Sequence, residues 1–281
     1  MLYGVAEVTI SDQASAPINI WKDITGSVKD VLLQFPDEPY TTMRTFEGGI
    51  LLMDRHLDRL IKGSSLESKD LIRQKLWTAI SSVIKLLVNE LQKDIRITTI
   101  LIKNDDKLRL VVCIEDLQGP PSSGQIEIAT AQRIEPERKS TAWVHDRQIL
   151  ESQKLPDTNE VVLMDKEGRL YEGLSSNFGL IKERTVIVAP DTDVLSGTIM
   201  KMVLDIAPDL GLTVARTHPT LQDLDDCECC FITSTSRLAL PIHRIIIKER
   251  NAILVKKIPP MFELLRAKLQ QRLRTETTLI V

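Results

Sequence analysis

The stretch QGPPSSG, Gln118 to Gly124, constrains the chain more than any other. Two prolines bracketed by glycines and serines cannot continue a helix or a central strand. The expectation is a linker at 118–124, with a smaller α+β domain at 1–117 and a larger domain at 125–281. The chain's 281 residues suit two domains of ordinary size.

Before the linker, YTTMRTFEGGILLM reads as two short strands joined at Glu47-Gly48-Gly49. DRHLDRLIKGSS follows as a helix with Asp54 as its N-cap and Leu57, Leu60 and Ile61 on one face. A longer helix is predicted over 68–92, where Ile72, Leu76, Ile80, Val83, Leu87 and Leu91 step by three or four. IRITTILI and KLRLVVCIE then form a hairpin across KNDD.

After the linker come a strand QIEIATAQ, a polar segment RIEPERKS and a helix over 141–153. EVVLMD, RLYEG, NFGLIK and TVIVA are short strands. SGTIMKMVLDIAPDLG is a helix with Ile199, Met202, Val203 and Ile206 inward, and the strand ECCFITS follows a short acidic helix.

A net charge of −3 gives no basic excess of the kind that marks a nucleic-acid partner. No apolar run approaches the ~20 residues that span a bilayer, and no leader is expected, so the default location is cytoplasmic. CECC holds three of the four cysteines, Cys227, Cys229 and Cys230, with Cys113 elsewhere. A zinc site needs four ligands within tetrahedral reach and no second cluster lies nearby, so buried reduced thiols and no metal are expected.

Three local features suit a charged ligand. LSGTIMKMVLD sets Gly197, Thr198 and Ile199 at a helix start, whose exposed N–H groups attract anions, although a cap by Ser196 is the simpler reading. FITSTSR ends a strand in four hydroxyl residues, Thr233 to Ser236, which either cradle a phosphate or form ordinary turns. Lys139, at a strand-to-helix boundary, looks like a solvated charge on spacing alone. In RLYEGLSSNFGLI, Glu172 interrupts a strand pattern just before a run of small polar residues.

Taken in order, Arg59 within HLDRL, Lys139, Glu172 within EGLSSN, LSGTI and FITSTS…PI resemble the fold-type-IV pyridoxal-phosphate enzymes. That class includes branched-chain aminotransferases, D-amino-acid aminotransferases and 4-amino-4-deoxychorismate lyase. The resemblance covers about Tyr40 to Ile242. It implies an α/β (α+β) fold of two domains with the cofactor in the interdomain cleft, usually as a homodimer.

The resemblance also implies roles. Lys139 forms the Schiff base with pyridoxal 5'-phosphate and shuttles the proton at Cα. Glu172 sits against the pyridine nitrogen and keeps it protonated, which makes the ring an electron sink. Arg59 holds the phosphate with the amides of Gly197, Thr198 and Ile199 and the hydroxyls of Thr235 and Ser236. Ser176 and Asn177 complete the cofactor wall, and Tyr40 faces the active site. The implied partners are an amino acid and a 2-oxo acid, with no nucleic acid and no membrane.

The chain departs from that pattern in places. The family's Gly-Asp-Gly before the aromatic stands here as Pro36-Asp37-Glu38-Pro39, and Gly-Ile-Thr-Arg as Gly197-Thr198-Ile199-Met200. Lys103 stands where D-amino-acid aminotransferases carry a carboxylate-binding Arg. YTTMR resembles the lyase subgroup, so a lyase is the alternative to an aminotransferase; a degenerate, non-enzymatic binding or scaffold protein is a third reading.

Overall fold

A computed structural model describes residues 2–10, 18–22, 26–63, 69–87, 94–104 and 107–279. The chain forms two compact units: Met1–Gln118 with Arg138–Asp146 and Leu273–Val281, and Gly119–Glu137 with Arg147–Arg272.

The first unit is built on an antiparallel sheet of seven strands. These are β1 (Leu2–Ile10), β2 (Ile18–Lys22), β3 (Tyr40–Phe46), β4 (Gly49–Leu51), β5 (Ile95–Asn104), β6 (Lys107–Asp116) and, from the far end of the chain, β16 (Thr277–Leu279). They lie in the order β16-β4-β3-β5-β6-β1-β2. Helices α2 (Met53–Gly63) and α3 (Lys69–Leu87) cover one face, where Leu57, Leu60, Ile61, Leu76, Ile80 and Val83 meet Met43, Ile97 and Val112. The other face packs α1 (Val28–Leu32) and α4 (Thr141–Asp146), through Val28, Val31 and Val144, on Tyr40, Ile100 and Cys113. Each such aliphatic side chain contributes about 1.5–3 kcal/mol on burial. The described members of both stripes read from spacing therefore face the sheet. Ser68, residues 88–92 and Asp105–Asp106 lie outside the described residues, as does Leu91.

The chain passes between units at Gln118 and then three more times. Residues 138–146 join the first unit because Tyr40 N–H donates to the Lys139 carbonyl (3.0 Å) and Thr141 N–H to that of Glu38 (2.9 Å). Residues 273–281 join it because β16 pairs with β4. These are long-range pairings, which a division by composition does not register. The helix expected over 141–153 is likewise two pieces, α4 and α5 (Gln148–Ser152). It breaks at Arg147, where the chain enters the second unit and the guanidinium donates to the Leu174 carbonyl at 2.5 Å.

The second unit holds β7 (Gly124–Thr130), β8 (Glu160–Met164), β9 (Leu170–Gly173), β10 (Asn177–Lys182), β11 (Thr185–Val188), β12 (Thr213–Arg216), β13 (Cys229–Ser234), β14 (Leu238–Ile247) and β15 (Ala252–Val255). Their order is β12-β11-β10-β13-β14-β7-β8-β9, with β15 on β14, and β9 also pairs with β10. That last pairing closes six strands into a ring around Ile126, Ile128, Val162, Phe178, Ile232 and Leu240. It consists of one residue pair, Asn177 with Glu172.

Helix α6 (Thr198–Ile206) buries Ile199, Met202, Val203 and Ile206. The acidic helix α7 (Asp223–Asp226) precedes β13, and in α8 (Pro260–Arg274) Phe262 packs against Phe231, ring centres 5.3 Å apart. No helix among the described residues is long and apolar enough to cross a membrane.

Candidate active site

In the first unit, Lys139, Tyr40 and Arg59 belong to one polar cluster. Lys139 Nζ lies 4.6 Å from the centre of the Tyr40 ring, and the lysine's carbonyl accepts from Tyr40 N–H. On one side Arg138 forks onto both Asp37 carboxylate oxygens (2.9 and 2.7 Å). On the other, Thr141 Oγ1 accepts from Glu38 N–H at 2.8 Å. Pro36-Asp37-Glu38-Pro39 thus anchors the lysine segment, and Arg138 is committed to Asp37.

Beside them, Arg59 Nη2 donates to Thr41 Oγ1 (2.8 Å) and to His56 Nδ1 (3.0 Å). Thr41 Oγ1 also meets His56 Nδ1 at 2.9 Å. A guanidinium only donates, so Nδ1 is an acceptor and the ring proton sits on Nε2. Burial pushes the His56 imidazole well below its usual range, and the charges of Arg59, Lys139 and Arg55 push it further. A neutral imidazole is what this cluster of cations requires. His56 went unremarked in the sequence, although its i, i+3 spacing to Arg59 places both on one helix face.

In the second unit the centre is Glu172, at the closure of the strand ring. Its side chain is 4% exposed and that of Arg133 is 5% exposed, 2.9 Å away. Leu195 N–H donates to the other carboxylate oxygen at 3.2 Å. The Leu195 carbonyl in turn accepts from Asn177 Nδ2 at 2.6 Å. One residue's backbone thereby joins Glu172 and Asn177 to the loop that enters α6.

Gly197 is the N-cap of α6 and no side chain caps the helix, so Ser196 does not play that part. A Cβ at Gly197 would overlap the Asn177 amide oxygen. Gly173 is as confined: its Cβ would fall 2.5 Å from Ser176 Oγ. The small residues of EGLSSN fit a crowded ring closure. Arg133 had no signal in the sequence, since it begins a segment that reads as polar loop.

Ser176 Oγ donates to Glu160 at 2.9 Å. Thr235 and Ser236 lie in the turn between β13 and β14, whose last pair is Ser234 with Leu238. Thr233, next to that turn, pairs with Asn177 and has its Oγ1 buried without a hydrogen-bond partner among the described residues. Lys103 is exposed at the end of β5. The four thiols are free and buried, and burial pushes Cys113 and Cys229 up to about 12.

Taken separately, each unit carries groups whose chemistry suits a phosphorylated pyridine aldehyde. The first unit offers an amine and a guanidinium; the second offers a buried carboxylate, an uncapped helix start and an unsatisfied hydroxyl. The fold is that of the fold-type-IV pyridoxal-phosphate enzymes. A T.th. branched-chain amino acid aminotransferase, solved with N-(5'-phosphopyridoxyl)-L-glutamate, superposes with a TM-score of 0.76 at 15% identity, covering 100% of both chains.

Residues 39–245 match the amino-transferase class IV family, and the chain belongs to it. A probable branched-chain-amino-acid aminotransferase of Thermotoga maritima is 23% identical over 73% of this chain and 76% of its own. D-alanine aminotransferase of Listeria monocytogenes is 25% identical over 80% of this chain and 83% of its own. The protein is a pyridoxal-phosphate-dependent aminotransferase, and the lyase and non-enzymatic readings are not favoured.

Proposed function

We propose that the chain moves an amino group between an apolar amino acid and a 2-oxo acid, working as a homodimer in the cytoplasm, with Lys139 as its catalytic amine. Pyridoxal phosphate supplies the aldehyde that takes up the amino group and the ring that spreads the charge left at Cα. Lys139 Nζ is the amine that would hold that aldehyde, and it would move the proton at Cα. Tyr40 borders the amine. Arg59 holds phosphate oxygens, its fork aimed by Thr41 and neutral His56.

Glu172 would face the ring nitrogen, with Arg133 as its buried countercharge. Thr198 and Ile199 offer amides at a helix start where the dipole favours an anion. Thr235 and Ser236 offer hydroxyls, and Ser176 and Asn177 line the same strand closure as Glu172. The apolar substrate follows the branched-chain names among the relatives.

The placement of Lys139 carries this reading: its amine is held on the Tyr40 ring by ties on both sides of its backbone. Borohydride reduction of the cofactor-loaded protein should label Lys139, and Lys139→Ala should lose at least ~10²–10⁴ in turnover with an intact fold. Label on another lysine would overturn the assignment. Pyruvate release from aminodeoxychorismate without an acceptor would turn the reading to the lyase.

A further inference from the structure

A second ion pair in the second unit, between half-buried Arg237 and buried Glu160, is not used by these roles. Arg237 directly follows Thr235 and Ser236, and every nitrogen of its guanidinium is engaged. Nε donates to Ser234 Oγ (3.3 Å) and Nη1 to the Asn159 carbonyl (2.7 Å). Nη2 donates to Glu160 (2.6 Å) and to Ser175 Oγ (2.8 Å). Ser234 Oγ also accepts from Arg237 N–H at 3.1 Å, so the residue holds both ends of its own turn.

Glu160, 3% exposed, gathers the opposite strand end. It accepts from the hydroxyls of Ser175 (2.7 Å) and Ser176 (2.9 Å). Burial alone would push its carboxyl up, but the Arg237 charge and the two serine hydroxyls outweigh that and hold it below its usual range. The next residue after the arginine, Leu238, sits at φ 54°, a left-handed backbone that a β-strand leucine rarely adopts. A buried ion pair is a weak source of net stability, and its best-attested use is to fix one geometry among several.

We infer that Arg237 is a positioning residue: through Glu160 it fixes the Thr235–Ser236 turn, whose hydroxyls receive the cofactor's phosphate, against the Ser175–Asn177 wall. This rests on the proposed roles of Thr235, Ser236 and Ser176. The donors of Arg237 are taken by protein oxygens. A lysine in its place reaches Glu160 as a point charge but cannot satisfy Ser234, Asn159 and Ser175 together.

The test is equilibrium binding to apo-protein of two probes, pyridoxal phosphate and pyridoxal, which lacks the phosphate. A residue that only stabilises the fold shifts both affinities alike; one that sets the phosphate cradle shifts the first alone. Arg237→Met should lower the affinity ratio of the two probes about tenfold, and Arg237→Lys about threefold. The lysine variant keeps the buried charge, so it carries the test if the methionine variant does not fold. An unchanged ratio in the folded variants, with wild type preferring pyridoxal phosphate, overturns the role of Arg237 alone. Absence of that preference in wild type overturns the cofactor-site assignment and this inference with it.

Discussion

The two units solve opposite electrostatic problems. In the first, Lys139, Arg59 and Arg55 crowd around a buried histidine, and the structure copes by leaving the histidine neutral and giving Arg59 uncharged acceptors. In the second, carboxylates go into the interior at Glu172 and Glu160, and each is met by an arginine and by N–H or O–H donors. Around the cations of the first unit the described acceptors are neutral groups, Thr41 and His56. The carboxylates already have their countercharges, and the arginines aim them.

That contrast breaks first at Arg133. Arg133→Met leaves Glu172 buried with the Leu195 amide but without its countercharge, which should cost about 3–5 kcal/mol in urea unfolding. Adding Glu172→Gln to that variant should restore most of the loss. If Arg133→Met alone is neutral, the carboxylate does not depend on the arginine and the comparison fails.

A smaller effect tests packing around the two clusters. Gly197→Ala forces Asn177, already tied to the Leu195 carbonyl, out of place and should cost about 1–3 kcal/mol. In the first unit Gly49→Ala meets the Thr278 carbonyl oxygen at 2.9 Å, backbone that yields only by shifting β16. The first change should weaken binding of pyridoxal phosphate as well as stability, while the second should affect stability alone. Equal loss of cofactor binding in both would remove the distinction.

Acid sharpens the comparison further. His56 has a folded value lowered from 6.5, so its contribution is present above about pH 6.5 and is lost as pH falls below it, at about 1.4 kcal/mol per pH unit. Glu160 is lowered from 4.5, so its contribution holds above about pH 4.5 and is lost only as pH falls from there. Hydrogen exchange should therefore show β3 and α2 losing protection at a higher pH than β9 and β10. His56→Gln should flatten the first loss; an unchanged profile would show that His56 is not what titrates.

The strands and the amphipathic helices were legible because period-2 and period-3.6 patterns report burial directly: Leu57, Leu60, Ile61 and Ile199 all lie where spacing puts them. Glu172 was legible as a break in such a pattern. Its partner Arg133 was not, because an arginine in a polar segment shows no sign of burial until its carboxylate is located. Arg237 was hidden in the same way by hydroxyl neighbours that suggest a surface turn. The assignment of 138–146 to the first unit depends on hydrogen bonds to residues about a hundred positions earlier, which no local window contains.

The pairing of β16 with β4 has a consequence for synthesis. Leu51 finds its partner Thr277 only after some 226 further residues have been made. At about 5–20 residues per second, that leaves β4 an open strand edge on a nascent chain for roughly ten to forty-five seconds. Slower elongation lengthens the exposure, so the yield of folded protein should depend on translation rate through this one edge.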